Sequence, residues 1–432
     1  MHQISEMSGF KIDEVTKIEG AVGLDVEIEN GKVKDVRFAI KEFKRFYVHA
    51  MTGKPIAAVP QLLARICGTC SNAHLMASIE AVEHTLGMEV TPQTKLLRTL
   101  TYHGLIIRDH ALHLYLFSLP DVFNRDSLLA FSDDDPVEHQ MLHDAFAVKG
   151  AGNHLAILVA GRSVHAPVPM PGGFAKIPEP TQIKAMIHEL EHIRPAVLRL
   201  IKIYAECSFS LVRETNYAAL VHDPFSYLEG EIRDVNGFVC DEKGYRDHLE
   251  HVVIPYSQAS GYTFNGQTYR TGALARLNLN KGALHPKTRE DAAMELKLFP
   301  SHNVYHNNLA QAIGILHSVD ESLDILRNTV FQPERMLPIP KKAGVGVGVV
   351  EAPRGMLFHK LEVNEAGIVT GGEVVVPTGQ NQIAIEQDLG MFISDHMDMT
   401  EEEISLECEK IIRAYDPCMS CASHFLKVNW KK

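Results

Sequence analysis

Asp416-Pro417-Cys418-Met419-Ser420-Cys421-Ala422-Ser423-His424, near one end of the chain, repeats the plan of Arg65-Ile66-Cys67-Gly68-Thr69-Cys70-Ser71-Asn72-Ala73-His74 near the other. Each holds Cys-x-x-Cys followed by a histidine. Two close pairs of thiolates are what a soft or borderline metal ion needs, since each tight loop delivers two convergent sulfurs. A structural zinc clip is the plain alternative, and its two pairs usually stand ~15–20 residues apart. Here 347 residues separate Cys70 from Cys418. A metal centre shared by both pairs therefore requires the two ends of the chain to meet.

Length alone suggests about three domains at ~150 residues each. The shared site instead predicts a single interleaved unit over 1–432, free of internal repeats and low-complexity linkers. With 45% hydrophobic and 22% charged residues, the 432-residue chain can bury a large core. A net charge of −12 without a dense Lys/Arg run excludes the basic footprint that nucleic acid demands. No apolar run approaches the ~20 residues needed to cross a bilayer, so no direct membrane insertion is expected. The N-terminus, Met1-His2-Gln3-Ile4-Ser5-Glu6, lacks a basic n-region and apolar run, and the chain reads as cytoplasmic. Seven cysteines, four of them in pairs, suit metal ligation in a reducing compartment. Cys207, Cys240 and Cys408 read as small buried hydrophobes.

Taken in order, alternating residues over 11–38 with Asn30-Gly31 at the turn predict an N-terminal hairpin. Helical spacing follows over His74–Leu86, Gln93–Leu119, 132–160, 181–206 and Asn303–Arg327, giving a helical core about 74–330. Asp109, His110 and His113 are polar on an otherwise apolar helix; both histidines are expected to be satisfied in a buried network. Short alternating runs fill 215–300. Gly344-Val345-Gly346-Val347-Gly348 lacks the helix that a dinucleotide fingerprint needs afterwards, so its glycines are expected to let backbone pass close to the cysteine cluster. A second hairpin over 356–376 and two helices, about 381–395 and 400–414, close the chain, the C-terminal part running about 344–424. The fold class expected is mainly α with small β-sheets (α+β), a long-helix bundle with a hairpin at either end.

A rival signal lies in His188-Glu189-Leu190-Glu191-His192, the pattern of zinc hydrolases in which two histidines share a helical face and a glutamate acts as base, with Glu214 at a plausible distance for a third ligand. Among 23 histidines such a match arises easily, and lying among charged residues between Pro180 and Pro195 it is expected to be a solvated helix face.

Arg65-x-Cys67-Gly68-x-Cys70-x-x-x-His74 and Asp416-Pro417-Cys418-x-x-Cys421-x-x-His424 together resemble the two signature motifs of the large subunit of nickel-iron hydrogenases. Lys17-Ile18-Glu19-Gly20, Asp109-His110-Ala111-Leu112-His113-Leu114-Tyr115, Leu274-Ala275-Arg276-Leu277-Asn278, Ala352-Pro353-Arg354-Gly355 and Pro377-Thr378-Gly379-Gln380-Asn381 follow in the family's order. The resemblance implies nickel on Cys67, Cys70, Cys418 and Cys421, with Cys70 and Cys421 bridging to an iron that carries carbon monoxide and cyanide. It implies that Cys418 passes a proton to Glu19, otherwise a plain strand carboxylate. Arg354, otherwise an ordinary ion-pair residue, would polarise dihydrogen or act as a base, held by Asp109 and Asp416. Thr378, Pro353, Pro377 and His74 would contact the cofactor. A guanidinium base is chemically demanding, its pKa being above ~12.

With no further cysteine cluster in the chain, the resemblance also implies an iron-sulfur small subunit and further electron-transfer subunits. Gly161-Arg162-x-x-His165 and the Pro/Gly-rich Ala166–Gly173 resemble a segment kept near that partner. Two departures stand out. Arg45-Phe46-Tyr47-Val48 puts valine where relatives carry a magnesium-binding glutamate, which leaves a magnesium ion at His424 without that ligand. Residues 425–432 follow the histidine after which relatives are often cut, implying a retained tail. Alternatives to the enzyme are a hydrogen sensor or another non-catalytic relative, or the zinc hydrolase.

Overall fold

The computed structural model describes residues 3–43 and 46–423. Gly9–Ile12 (β1), Val22–Glu29 (β2) and Lys32–Ile40 (β3) form an antiparallel sheet in that order. Asn30 and Gly31 take φ of +54° and +69°, the positive pair that joins right-twisted strands in a two-residue turn. The expected hairpin is thus present, extended to Ile40 and joined by one more strand.

Four long helices follow: Ser71–Leu86 (α1), Pro92–Ala111 (α2), Pro136–Ala160 (α3) and Pro180–Glu206 (α4). Their starts follow local chemistry. Thr91 accepts from the Thr94 N–H at 3.1 Å, and Asp135 accepts from Val137 and Glu138 at 2.8 and 3.1 Å; each precedes a proline in the first turn, where the missing N–H costs nothing. The helix expected to run unbroken to Leu119 is α-helical only to Ala111, after which Leu112–Ser118 winds as a π-helix. Outside groups compete for this turn: Tyr204 donates to the Leu114 carbonyl at 2.7 Å, and both His113 ring nitrogens bond across to other elements.

Within 215–300, Asn216–Val221 (β4), Glu231–Asp234 (β5), Val239–Cys240 (β6) and Tyr269–Arg270 (β7) form a sheet in the order β7-β4-β5-β6. Ala273–Asn280 (α5) and the long His306–Asn328 (α6) return the chain to the core. Gly344–Ala352 (β8), Gly355–Val363 (β9) and Val369–Val375 (β10) build a second three-stranded antiparallel sheet, one strand more than the expected hairpin. Pro377–Asp395 (α7) and Glu401–Ala414 (α8) close the fold, the latter through a Thr400/Glu403 capping box.

The glycines of β8 do not serve the cysteines. A Cβ on Gly346 would sit 2.3 Å from the Ala81 carbonyl and the Thr85 N, and one on Gly348 would sit 2.3 Å from the Ala77 carbonyl, so they let the strand lie directly on α1. Cys408 is buried as expected, whereas Cys207 and Cys240 are only half-buried, lying at element edges. One hydrophobic cluster joins Leu24 and Phe38 of the first sheet to Leu105 and Ile107 of α2, Ile313 and Leu316 of α6, and Ile385, Leu389 and Ile411 near the end. Chain ends are therefore parts of one core. No helix among the described residues is long and apolar enough to cross a membrane.

Candidate metal centre

Cys67 follows a short 3-10 turn, Cys70 caps the N-terminus of α1, and Cys418 caps a final turn at Met419–Ala422. The two ends are sewn together by a parallel bridge between Glu19 and Cys418, in which the Met419 N–H donates to the Glu19 carbonyl at 2.9 Å. Sulfur separations are 3.5 Å for Cys67–Cys418, 3.0 Å for Cys70–Cys421 and 3.3 Å for Cys418–Cys421, all four residues being buried. They are free thiols, and their sulfurs lie within 4.8 Å of one another.

Hydrogen bonds from Cys418, Cys421 and Cys70 hold the Cys67 thiol well below its usual range, while burial pushes Cys418 and Cys421 well above theirs. Burial thus resists four thiolates at this spacing. A divalent cation among the sulfurs would offset that resistance, so the donor set fits nickel with a second soft metal alongside. The Cys418 thiol donates to Glu19 Oε2 at 3.0 Å. Ser420 fixes that carboxylate through its N–H at 3.2 Å and its hydroxyl at 2.6 Å.

Arg354 sits in the turn between β8 and β9, 3% exposed. Its guanidinium donates to Asp109 Oδ1 at 2.9 Å, Asp416 Oδ1 at 3.0 Å and the Asp416 carbonyl at 2.8 Å. Burial works to discharge it, but Asp109, Asp416, Cys418 and Cys70 outweigh burial and raise its pKa well above the normal value. The two carboxylates thus favour the charged form of the guanidinium. Asp109 is pushed up to about 6, chiefly by burial. Asp416 takes a left-handed φ of +50°, unusual for a residue with a Cβ. That conformation lets its carbonyl and carboxylate face Arg354 together while Gln311 donates to its Oδ2 at 2.9 Å.

The turn is held from behind. Arg276 pairs with Glu351 at 2.7 Å and donates to the Ala352 carbonyl at 3.1 Å. Asn381 bonds both backbone groups of Thr271, whose hydroxyl accepts from the Met356 N–H at 3.0 Å. Gly355, φ +129°, passes so near that a Cβ would lie 2.5 Å from Thr271.

Cys70, Cys418, Cys421, Arg354, Pro353, Pro377, Thr378 and His74 line one small cavity with Ala352 and Leu357. Thr378 Oγ1 accepts from the Cys418 N–H at 3.0 Å, which leaves its own proton free to donate. His74 reaches Cys421 with Nε2 at 3.6 Å and His359 with Nδ1 at 3.1 Å, and burial lowers its pKa to about 4.

Gln311, Ser420 and His359 were not singled out from the sequence. Asn307, Asn308 and Gln311 recur at helical spacing on an apolar helix, and Gln311 is legible from that polar face; nothing marked Ser420 or His359. His113 is satisfied as expected, by Gln311 at 2.6 Å and the Arg413 carbonyl at 2.8 Å. His110 is not: it is fully buried with neither ring nitrogen bonded, and burial keeps it neutral. His165 packs on the first cysteine segment, its Nδ1 bonding the Ala64 carbonyl at 3.0 Å and its N–H donating to Ser71 Oγ at 3.0 Å. The zinc-hydrolase pattern does not assemble. The His188 side chain is 87% exposed, Glu189 pairs with His154 at 2.7 Å, and the three form no metal-holding group among the described residues, because the helix turns this face to solvent. Val48 is half-buried against the core; Arg45, His424 and the tail 425–432 lie outside the described residues.

A family model described as nickel-dependent hydrogenase matches residues 49–154 and 244–424. The chain is 30% identical to sulfhydrogenase 1 subunit alpha of Pyrococcus furiosus, over 96% of this chain and 98% of that one. It is 32% identical to sulfhydrogenase 2 subunit alpha of the same organism, over 97% and 99%. Among solved structures, an NAD+-reducing [NiFe]-hydrogenase in the H2-reduced state superposes with a TM-score of 0.84 at 24% identity, covering 96% of this chain and 99% of that one. The Ni-Fe-Se hydrogenase of D. vulgaris Hildenborough gives 0.77 at 20%, over 96% and 99%. These two show a common fold, mainly helical with small sheets. The four convergent cysteines occupy the ends of a chain matched along almost its whole length, and the chain belongs to the nickel-dependent hydrogenase family.

Proposed function

We propose that this chain is the catalytic large subunit of a nickel-iron hydrogenase and that its own residues divide the work as follows. The bound nickel-iron pair supplies reversible heterolytic cleavage of dihydrogen, the electrons leaving to an iron-sulfur partner subunit. Cys67, Cys70, Cys418 and Cys421 would hold nickel, and Cys70 and Cys421 would also serve the iron. Carbon monoxide and cyanide on that iron would lie against Pro353, Pro377 and Thr378, whose free hydroxyl proton suits a cyanide nitrogen. Cys418 Sγ would receive the proton and hand it to Glu19 Oε2, already oriented by Ser420. Arg354, as a cation, would polarise the bound gas while Asp109 and Asp416 keep it in place. His74 would donate towards the Cys421 sulfur. Such preorganised charge in a dry site is a large part of what a protein can contribute to catalysis.

The observation that carries this reading is selective: of the four sulfurs, Cys418 has a carboxylate oxygen at 3.0 Å. An iron-sulfur small subunit, with further electron-transfer subunits, is proposed because this chain has no second cysteine cluster among its described residues. Magnesium is left without a proposed site, valine standing at position 48. A cytoplasmic location is proposed from the seven cysteines, all free. The test is an infrared spectrum and elemental analysis of the anaerobically purified complex. Bands of metal-bound carbon monoxide and cyanide with nickel are expected; zinc without such bands would overturn the reading.

A further inference from the structure

A second group of metal-ligating side chains stands well apart from the cysteines. Glu80 and His84 share one face of α1 at i, i+4, and Glu242 reaches them from the turn after β6. One ligand atom from each lies within 4.8 Å of the others. At 1.5 Å per residue, Glu80 is about 15 Å along the helix from Cys70.

His84 Nδ1 is 2.6 Å from the Val347 carbonyl, an acceptor, so Nδ1 carries the proton and Nε2 keeps a free lone pair. A backbone carbonyl holding the far nitrogen is how proteins orient a histidine towards a metal. Glu80 Oε2 and Glu242 Oε2 are both buried oxygens with no hydrogen-bond partner. Two of the nearby cations are engaged elsewhere, Arg98 in a fork to Glu83 at 2.5 and 2.8 Å and Lys95 with Glu229 at 2.8 Å, while Lys243 lines the same cavity and partly offsets the charge of Glu242. Both half-buried carboxylates accept from the Val349 N–H, and the two oxygens left without a partner need a proton or a cation between them. Burial, with Glu229 and Asp241 nearby, pushes Glu242 up to about 8, and burial beside Glu242 pushes Glu80 well above its usual range.

We propose that Glu80, His84 and Glu242 bind one divalent transition-metal ion of the zinc class, separate from the nickel-iron centre. Glu80 and His84 line a solvent-connected cavity beside α1, so the ion has a way in and open positions for water. Its structural effect is to tie the helix that carries Cys70 and His74 to the turn after β6. The neighbouring trio of His103, His317 and Glu321 is a poorer candidate. His317 Nδ1 accepts from the His285 N–H at 3.1 Å, which puts its proton on Nε2, facing Glu321 at 3.0 Å.

The test uses the anaerobically purified complex, dialysed against a weak chelator and titrated with Zn2+ by calorimetry, with nickel and iron assayed in parallel. Uptake of one Zn2+ per chain beyond the nickel-iron metals is expected, with anomalous scattering at Glu80, His84 and Glu242 in zinc-soaked crystals. His84→Ala and Glu242→Gln should each weaken binding at least about tenfold, nickel and iron content and turnover staying at the parental level. The absence of zinc uptake by the parent, equal affinity in both variants, or a scattering peak elsewhere would overturn the proposal. So would a protonated-carboxyl infrared band that Glu242→Gln removes in a protein taking up no zinc. Since nickel and iron are counted separately, failure here is distinguishable from failure of the hydrogenase reading.

Discussion

The sulfur of Cys418 and the carboxylate of Glu19 lie 3.0 Å apart although 399 positions separate them in sequence. Glu19→Gln preserves size and the contacts to Ser420 but removes the ability to carry a proton. Turnover should fall by ~10²–10⁴, the range for losing a positioned proton acceptor. Nickel, iron and the infrared bands should be retained, and exchange between dihydrogen and deuterated water should fall alongside. Unchanged exchange would place the proton exit elsewhere.

Arg354→Lys keeps a positive charge but cannot reach Asp109, Asp416 Oδ1 and the Asp416 carbonyl together, which the planar guanidinium does. A loss of ~10²–10³ in turnover is expected, the scale for removing one preorganised charge from a site. Nickel content separates this from a folding defect. Wild-type turnover in the lysine variant would refute the role given to the fork.

Arg413, 1% exposed, binds Asp121 through two bonds of 2.6 and 3.0 Å and Glu409 at 2.8 Å, and donates to the Thr16 carbonyl at 3.1 Å. Removing only the arginine leaves the buried Asp121 carboxylate with Lys17, at 2.7 Å, as its remaining cation. Arg413→Met should therefore cost about 3 kcal/mol in unfolding free energy, the low end of the range for a broken buried pair because Lys17 remains. The double variant with Asp121→Leu should recover part of that loss, read from denaturant midpoints.

Glu386 on α7 accepts from the Phe38 N–H at 3.0 Å and the Tyr256 hydroxyl at 2.8 Å, and burial pushes it up to about 7 from an ordinary 4.5. Between those two values the folded chain holds a proton that the unfolded chain has lost. Its contribution to stability is complete below pH 4.5 and is lost as pH rises through about 7. Glu386→Gln keeps the accepting oxygen and should flatten the fall of the thermal midpoint across that window. Parallel midpoint curves for both proteins would contradict the assignment.

The ligands were legible because paired cysteines with a trailing histidine have few other uses, and their distance in sequence already demanded that the ends meet. Alternation around Asn30-Gly31 and helical spacing gave most of the elements. What periodicity could not show was where an outside donor would compete with the backbone, so the π-helical turn at Leu112–Ser118 read as plain helix. Nor does a Gly-x-Gly-x-Gly strand say which neighbour it approaches; Gly346 and Gly348 meet helix α1 and not the sulfurs. His110 looked like a member of a polar network, yet its ring sits among groups that bond elsewhere. The rival His188-Glu189-x-x-His192 pattern, lying among charged residues between two prolines, already read as a solvated helix face, and the exposed His188 bears that out.

The bridge between Glu19 and Cys418 bears on the order of events during synthesis. Local helices can form as the chain emerges, but the contacts Cys67–Cys418, Cys70–Cys421 and Glu19–Cys418 each close loops of 351 residues or more. Closure at such separation is among the slowest steps of folding. A chain made only as far as α8 can thus own most of its core while holding half of its ligands, and Cys418 and Cys421 decide whether a reaction centre exists at all.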